Sequence, residues 1–149
     1  MQFNGQVIIQ AARQRVWEFL IDPQAVSQCA PGLESLTVLD PGKRFEVVAA
    51  VGFGTVKVKF VTEVEFTELS PPDRATMRAH GTAPGSAVDV LAEMVLSEAP
   101  DGATLLDWKA DVTISGTLTS LASRLMGSVT KKVTGAFFDC VRKKIEDRT

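Results

Sequence analysis

From Leu118 to the end of the chain, apolar side chains recur at Leu121, Leu125, Val129, Val133, Phe137, Val141 and Ile145. Steps of three and four predict one long amphipathic helix with these positions on a single face. No proline interrupts it, although Gly127 and Gly135 weaken it. The rest of the chain carries a different period. Phe3–Ala11 alternates and reads as a strand, with Phe3, Gly5, Val7 and Ile9 on one side. Arg13–Ile21 then shifts to helical spacing, placing Val16, Phe19 and Leu20 on one face with Trp17 beside them. Asp22-Pro23 ends that helix and starts a second, short one, because Asp caps a helix and Pro suits its first turn. Pro31-Gly32 closes it.

Six further strands follow. Leu33–Asp40 runs into the turn signal Asp40-Pro41-Gly42. Arg44–Val51 ends near Gly52-Phe53-Gly54. Val56–Leu69 is the clearest, with Val56, Val58, Phe60, Thr62, Val64 and Phe66 opposite Lys57, Lys59, Glu63, Glu65 and Thr67. Arg74–His80 is short, and Gly81–Gly85 reads as a loop. Ser86–Ser97 and Thr104–Ser115 put Val88, Val90, Ala92, Met94 and Leu96, and then Leu106, Trp108, Ala110, Val112 and Ile114, on their inner faces. Strict alternation predicts an antiparallel sheet with one face in water. Segregated helices make the fold α+β. The terminal helix can bury its stripe only by lying across the sheet, an arrangement that leaves an apolar space for a small ligand.

Composition narrows this little. The 149 residues fit one domain spanning 1–149, with 45% hydrophobic and 23% charged side chains. A net charge of −2 gives no general affinity for nucleic acid. Cys29 and Cys140 are far apart in sequence, fit no metal spacing and point to a reducing compartment. No run of roughly 18 apolar residues predicts a membrane span, and Met1–Gln10 does not resemble a signal peptide. Charge is unevenly placed: residues 1–119 carry nine basic and fifteen acidic side chains, residues 120–149 seven and three. Basic residues complement the negative end of a helix dipole; Lys131, Lys132, Arg142, Lys143 and Lys144 are also candidates for docking on an anionic membrane or acidic partner.

Several segments carry a family resemblance: Val16-Trp17-Glu18-Phe19-Leu20 with Asp22-Pro23, Cys29-Ala30-Pro31-Gly32, Ser115-Gly116, Ser120–Lys131 and Phe137-Phe138. Together with the order of elements they resemble the helix-grip fold of the START/Bet v 1-like (SRPBCC) superfamily. Within it they resemble the CoxG family, the carbon monoxide dehydrogenase G subunits. The resemblance implies a curved antiparallel sheet of about seven strands wrapped around a long C-terminal helix. It also implies a non-catalytic accessory protein of a molybdenum hydroxylase of the carbon monoxide dehydrogenase type. Such proteins are associated with membrane attachment and with the quinone (menaquinone or ubiquinone) that takes the enzyme's electrons. The expected location is cytoplasmic, or peripheral at the inner face of the membrane. Many members continue past the helix into a membrane-binding segment, whereas this chain stops at Thr149. A homodimer is compatible with the sequence, but no exposed stripe selects it.

Catalytic chemistry finds little purchase. His80 is the sole histidine, and nothing places a cysteine or serine beside it for a triad. One histidine and two separated cysteines do not make a zinc site. Glu63 and Glu65 share one strand face and read as a solvated stripe. The Gly52 and Gly81–Gly85 loops lack a phosphate-cradling pattern; the second could act as a lid. The expected ligand is an apolar quinone or lipid. Its candidate walls are Phe45, Val47, Phe60, Val64, Met77, Val90, Met94, Trp108, Val112, Leu121, Leu125 and Val129. Trp108 serves either as core or as a ligand platform. The competing readings are a cyclase- or hydrolase-like enzyme of the same fold and a ligand-free structural adaptor.

Overall fold

The computed structural model describes residues 1–146; Asp147 and Arg148 of the charged tail lie outside the described residues. Strand β1 (Gln2–Ile9) is followed by helices α1 (Arg13–Ile21) and α2 (Pro23–Val26). Strands β2 (Leu33–Asp40), β3 (Arg44–Phe53), β4 (Val56–Ser70), β5 (Arg74–Ala83), β6 (Ser86–Glu98) and β7 (Thr104–Gly116) come next. Helix α3 (Thr119–Glu146) closes the chain. The strands form one antiparallel sheet in the order β1-β7-β6-β5-β4-β3-β2, so the meander returns to pair with its own first strand.

Local chemistry sets the boundaries. The Asp22 carboxylate accepts the Gln24 N–H at 3.0 Å, and Pro23 opens α2. Gly32 has φ +75°, and a Cβ there would lie 2.1 Å from the Ala50 carbonyl oxygen, so only glycine passes at this corner. The expected loop at Gly81–Gly85 is mostly strand: Gly81 pairs with Val88, Thr82 with Ala87 and Ala83 with Ser86, leaving a two-residue turn at Pro84-Gly85. Gly81 is buried, and a Cβ there would meet Thr62 Oγ1 at 2.7 Å. It marks close packing rather than a lid.

The inner face of the sheet meets the helices in two separate clusters. One gathers Ile9, Val16, Trp17, Phe19, Leu96 and Leu106 around Val141 and Ile145 of α3. The other joins Phe53 and Phe60 to Val129, Leu121 and Leu125. The apolar stripe explains the division. A step of four residues overshoots a turn by about 40°, so the stripe winds around α3 as it proceeds. The early residues bury in one direction and the late ones in another. Val133, expected on the buried face, falls between the two and is 36% exposed; Val141, two turns on, is 0% exposed. Met77, on the inner face of β5, is also 36% exposed. The buried Thr104 hydroxyl is satisfied by the Ala11 carbonyl at 2.7 Å.

Cys29 and Cys140 are joined in a disulfide across a sequence separation of 111. This corrects the reading of two unrelated thiols. The bond ties the segment after α2 to the last third of α3, inside the first cluster. Sequence distance concealed a pairing that the packing of α3 creates.

Candidate functional site

A slot of about 430 Å³ lies between strand β1 and the flank of α3. Phe3, Gly5 and Val7 enter it from the inner face of β1, and Trp108 from β7, where it stands opposite Gly5. The helix supplies Gly127, Lys131, Thr134, Phe138 and Arg142, spaced by four, three, four and four, with Thr130, Gly135 and Asp139 beside them. That spacing is one helical face, distinct from the apolar stripe that holds the sheet.

The aromatic floor depends on Gly5. A Cβ there would come within 2.7 Å of Trp108 Nε1 and 2.9 Å of Cε2, so glycine lets the indole lie across the strand. Trp108 stacks on Phe138 with centroids 6.4 Å apart and an interplanar angle of 28°. Phe137 meets Phe138 edge-on at 5.1 Å. On the helix side, nothing lies within 4 Å of a Cβ placed at Gly127 or Gly135. Each glycine costs an interior helical position about 1 kcal/mol relative to alanine, and no close packing at either position accounts for it. The open volume is there because two side chains are missing.

Polar groups occupy the rim. The Thr134 hydroxyl donates to the Thr130 carbonyl at 2.7 Å and is satisfied by its own helix. Gln6 donates to the Asp107 carboxylate at 2.5 Å. Arg142 Nε stands 3.9 Å from Glu146, whose other contact is the Gln10 N–H at 2.8 Å. No ion pair involves Lys131 among the described residues.

Of the twelve wall residues expected from sequence, Trp108 lines this slot and the other eleven do not. The eight other strand residues all share the inner face, as their cross-strand partners show: Phe45 with Val64, Val90 with Val112 and Met94 with Trp108, while Val47, Phe60 and Met77 face Thr62, Ala49 and Ala92. Leu121, Leu125 and Val129 pack into the second cluster, where Phe53 and Phe60 fill the space. Lys131, Lys132, Arg142, Lys143 and Lys144 are all exposed, but only Lys131 and Arg142 reach the slot. The residues missed were Phe3, Gly5 and Val7 of β1 and Gly127, Thr130, Thr134, Gly135, Phe138 and Asp139 of α3. The helical ones had a signal in their spacing, but small and polar residues on it read as a solvated face.

The outer face of the sheet carries the remaining ionisable groups. His80 Nδ1 is 2.6 Å from Asp89 Oδ1, and both are exposed. Glu63 and Glu65 pair with Arg44 at 3.7 Å and Arg78 at 3.2 Å. Glu93 accepts from Arg74 Nε at 3.0 Å. That hydrogen bond, with the nearby charges of Arg74 and Lys109, holds the Glu93 carboxyl below the usual carboxylate range against the opposing effect of desolvation. Among the described residues no group of three or more His, Cys, Asp or Glu could hold a metal ion.

The sequence model of the family described as the carbon monoxide dehydrogenase G subunit (CoxG) matches residues 5–146. The chain belongs to the CoxG family. The family assignment spans both walls of the slot from Gly5 onward. Among solved structures this CoxG chain is similar to a conserved protein from Geobacillus kaustophilus (24% identity, TM-score 0.91, covering 99% of this chain and 96% of that one). The Zhui aromatase/cyclase from Streptomyces sp. R1128 is similar at 18% identity and TM-score 0.75, covering 99% and 94%. Ara h 8.0201 is similar at 13% identity and TM-score 0.68, covering 99% of each chain. At these identities the neighbours show a shared Bet v 1-like helix-grip fold and nothing of activity. No curated protein sequence matches. Among the described residues no helix is long and apolar enough to cross a membrane.

Proposed function

We propose that this protein is a non-catalytic accessory component of a carbon monoxide dehydrogenase-type molybdenum hydroxylase, and that it holds an apolar small molecule, a quinone or lipid, between its sheet and α3. The observation that carries the binding half is the aromatic-floored slot, whose volume of about 430 Å³ falls within the range of small-molecule sites. Family membership over residues 5–146 supports the accessory half. The slot's ionisable residues, Lys131, Asp139 and Arg142, are exposed and on one helix. They form no nucleophile–base pair, which favours holding a ligand over transforming it.

Titration with a short-chain quinone, followed by Trp108 fluorescence, tests the binding half. Quenching that saturates at micromolar concentration is the expected result; turnover of the bound molecule would favour the cyclase-like reading, and no binding a ligand-free adaptor. The exposed cations of α3 are proposed to dock the protein on the membrane or on its partner enzyme. Reversing Lys132, Lys143 and Lys144 to glutamate should weaken low-salt association with anionic vesicles or with the hydroxylase while leaving ligand affinity intact. Unchanged association with both would refute the docking role.

A further inference from the structure

The slot is built for a particular kind of molecule, and three features of it converge. Three of the chain's ten aromatic side chains, Phe3, Trp108 and Phe138, meet in it, all half-buried, so ring surface remains open to a ligand. The nearly parallel Trp108 and Phe138 rings give a flat platform. Facing it, Gly127 and Gly135 leave open helix surface where any other residue would intrude. Charge then distinguishes one end. Lys131 shares the slot-facing stripe with Phe138, seven residues and about 10 Å along the axis. It engages no carboxylate among the described residues, whereas Arg142, at the other end, has Glu146 beside it.

We infer that the slot binds a planar aromatic anion, an aryl carboxylate or phenolate, with its rings against Trp108 and Phe138 and its charge directed to Lys131. This rests on the reading of the slot as a ligand site and adds the sign and shape of the ligand. A flat ring gains stacking and apolar burial together. A cation at one end fixes its orientation and selects against neutral and positive analogues, which leave the ammonium unpaired. The two glycines set the clearance above the ring.

Three naphthalene probes of equal ring size test this by calorimetry: 2-naphthoate, neutral 2-methylnaphthalene and cationic 2-naphthylmethylammonium. The expected order is naphthoate tightest, by about tenfold over the neutral probe, a gap that added salt narrows. Lys131→Gln should remove that gap and leave the neutral probe's affinity unchanged, while Lys132→Gln, on an exposed lysine outside the slot, should change neither. Gly135→Leu should raise thermal stability yet abolish binding of all three, a combination that damage to the fold does not produce. If the neutral probe binds as tightly as naphthoate, the charge assignment is overturned and the apolar carrier reading stands. If none of the probes binds the wild-type protein, both fall.

Discussion

Breaking the bond between Cys29 and Cys140 is the most demanding perturbation available to this fold. It closes a loop with a sequence separation of 111, for which the loop-closure model gives about 5 kcal/mol of stabilisation at 25 °C. Native disulfides deliver about 2–5 kcal/mol when removed. Cys29 is only 4% exposed and sits among Val16, Trp17 and Val141, so packing around it is retained when both sulfurs are replaced by small apolar groups. For a chain of this length each kcal/mol shifts Tm by about 2–4 °C. The Cys29→Ala/Cys140→Ala protein should therefore melt about 5–20 °C below the oxidised wild type, and reductant should lower the wild type by a similar amount while leaving the double variant unmoved. Differential scanning calorimetry with and without reductant reads the shift. Thiol titration in denaturant, before reduction, should find no free thiol. Two free thiols in protein kept from reductant, or coincident oxidised and reduced melts, would refute the covalent tie and restore two independent cysteines.

Three other outcomes follow from named contacts. Gly5→Ala places a methyl 2.7 Å from the Trp108 indole nitrogen; the net loss should be about 1–2 kcal/mol, with a red-shifted tryptophan emission as the ring is displaced. Val141→Ala should cost about 2–3 kcal/mol and Val133→Ala well under about 1 kcal/mol, since the first is fully buried and the second 36% exposed; equal costs by denaturant unfolding would contradict a winding stripe. Glu93→Gln tests a pH dependence. Its carboxyl is held below the usual range by Arg74, so its contribution to stability is fully present above the unfolded value of about 4.3 and fades as pH falls through the lower folded value. The stability gap between wild type and Glu93→Gln should be flat above about pH 5.5 and close in acid; a gap that widens in acid contradicts the ion pair.

The fold was legible because its strands alternate strictly and its last helix keeps a helical period. Val56–Leu69 and Thr104–Ser115 could be read to within a residue, since a shift by one would turn every apolar side chain outward. Gly81–Ala83 was misread because glycine signals a turn when seen alone; the tight approach of Thr62 that demands it belongs to a neighbouring strand. The site was less legible. Its platform joins Gly5 to Trp108 across a ladder more than a hundred residues apart, and its far wall is defined by what Gly127 and Gly135 lack. A periodicity search weighted toward apolar residues finds the face that packs, and passes over the face that stays open. Val133 fails for a related reason: a row of four-residue steps is straight on paper and helical on a helix.

Helix α3 is fixed to the sheet near its two ends and carried by neither cluster at its centre. It therefore behaves as a clamped beam, softest in flexure at midspan, where Gly127 and Gly135 bracket Val133. A guest can pass in and out by a bowing of that span, with the tight Pro84-Gly85 hairpin and both anchorages left at rest.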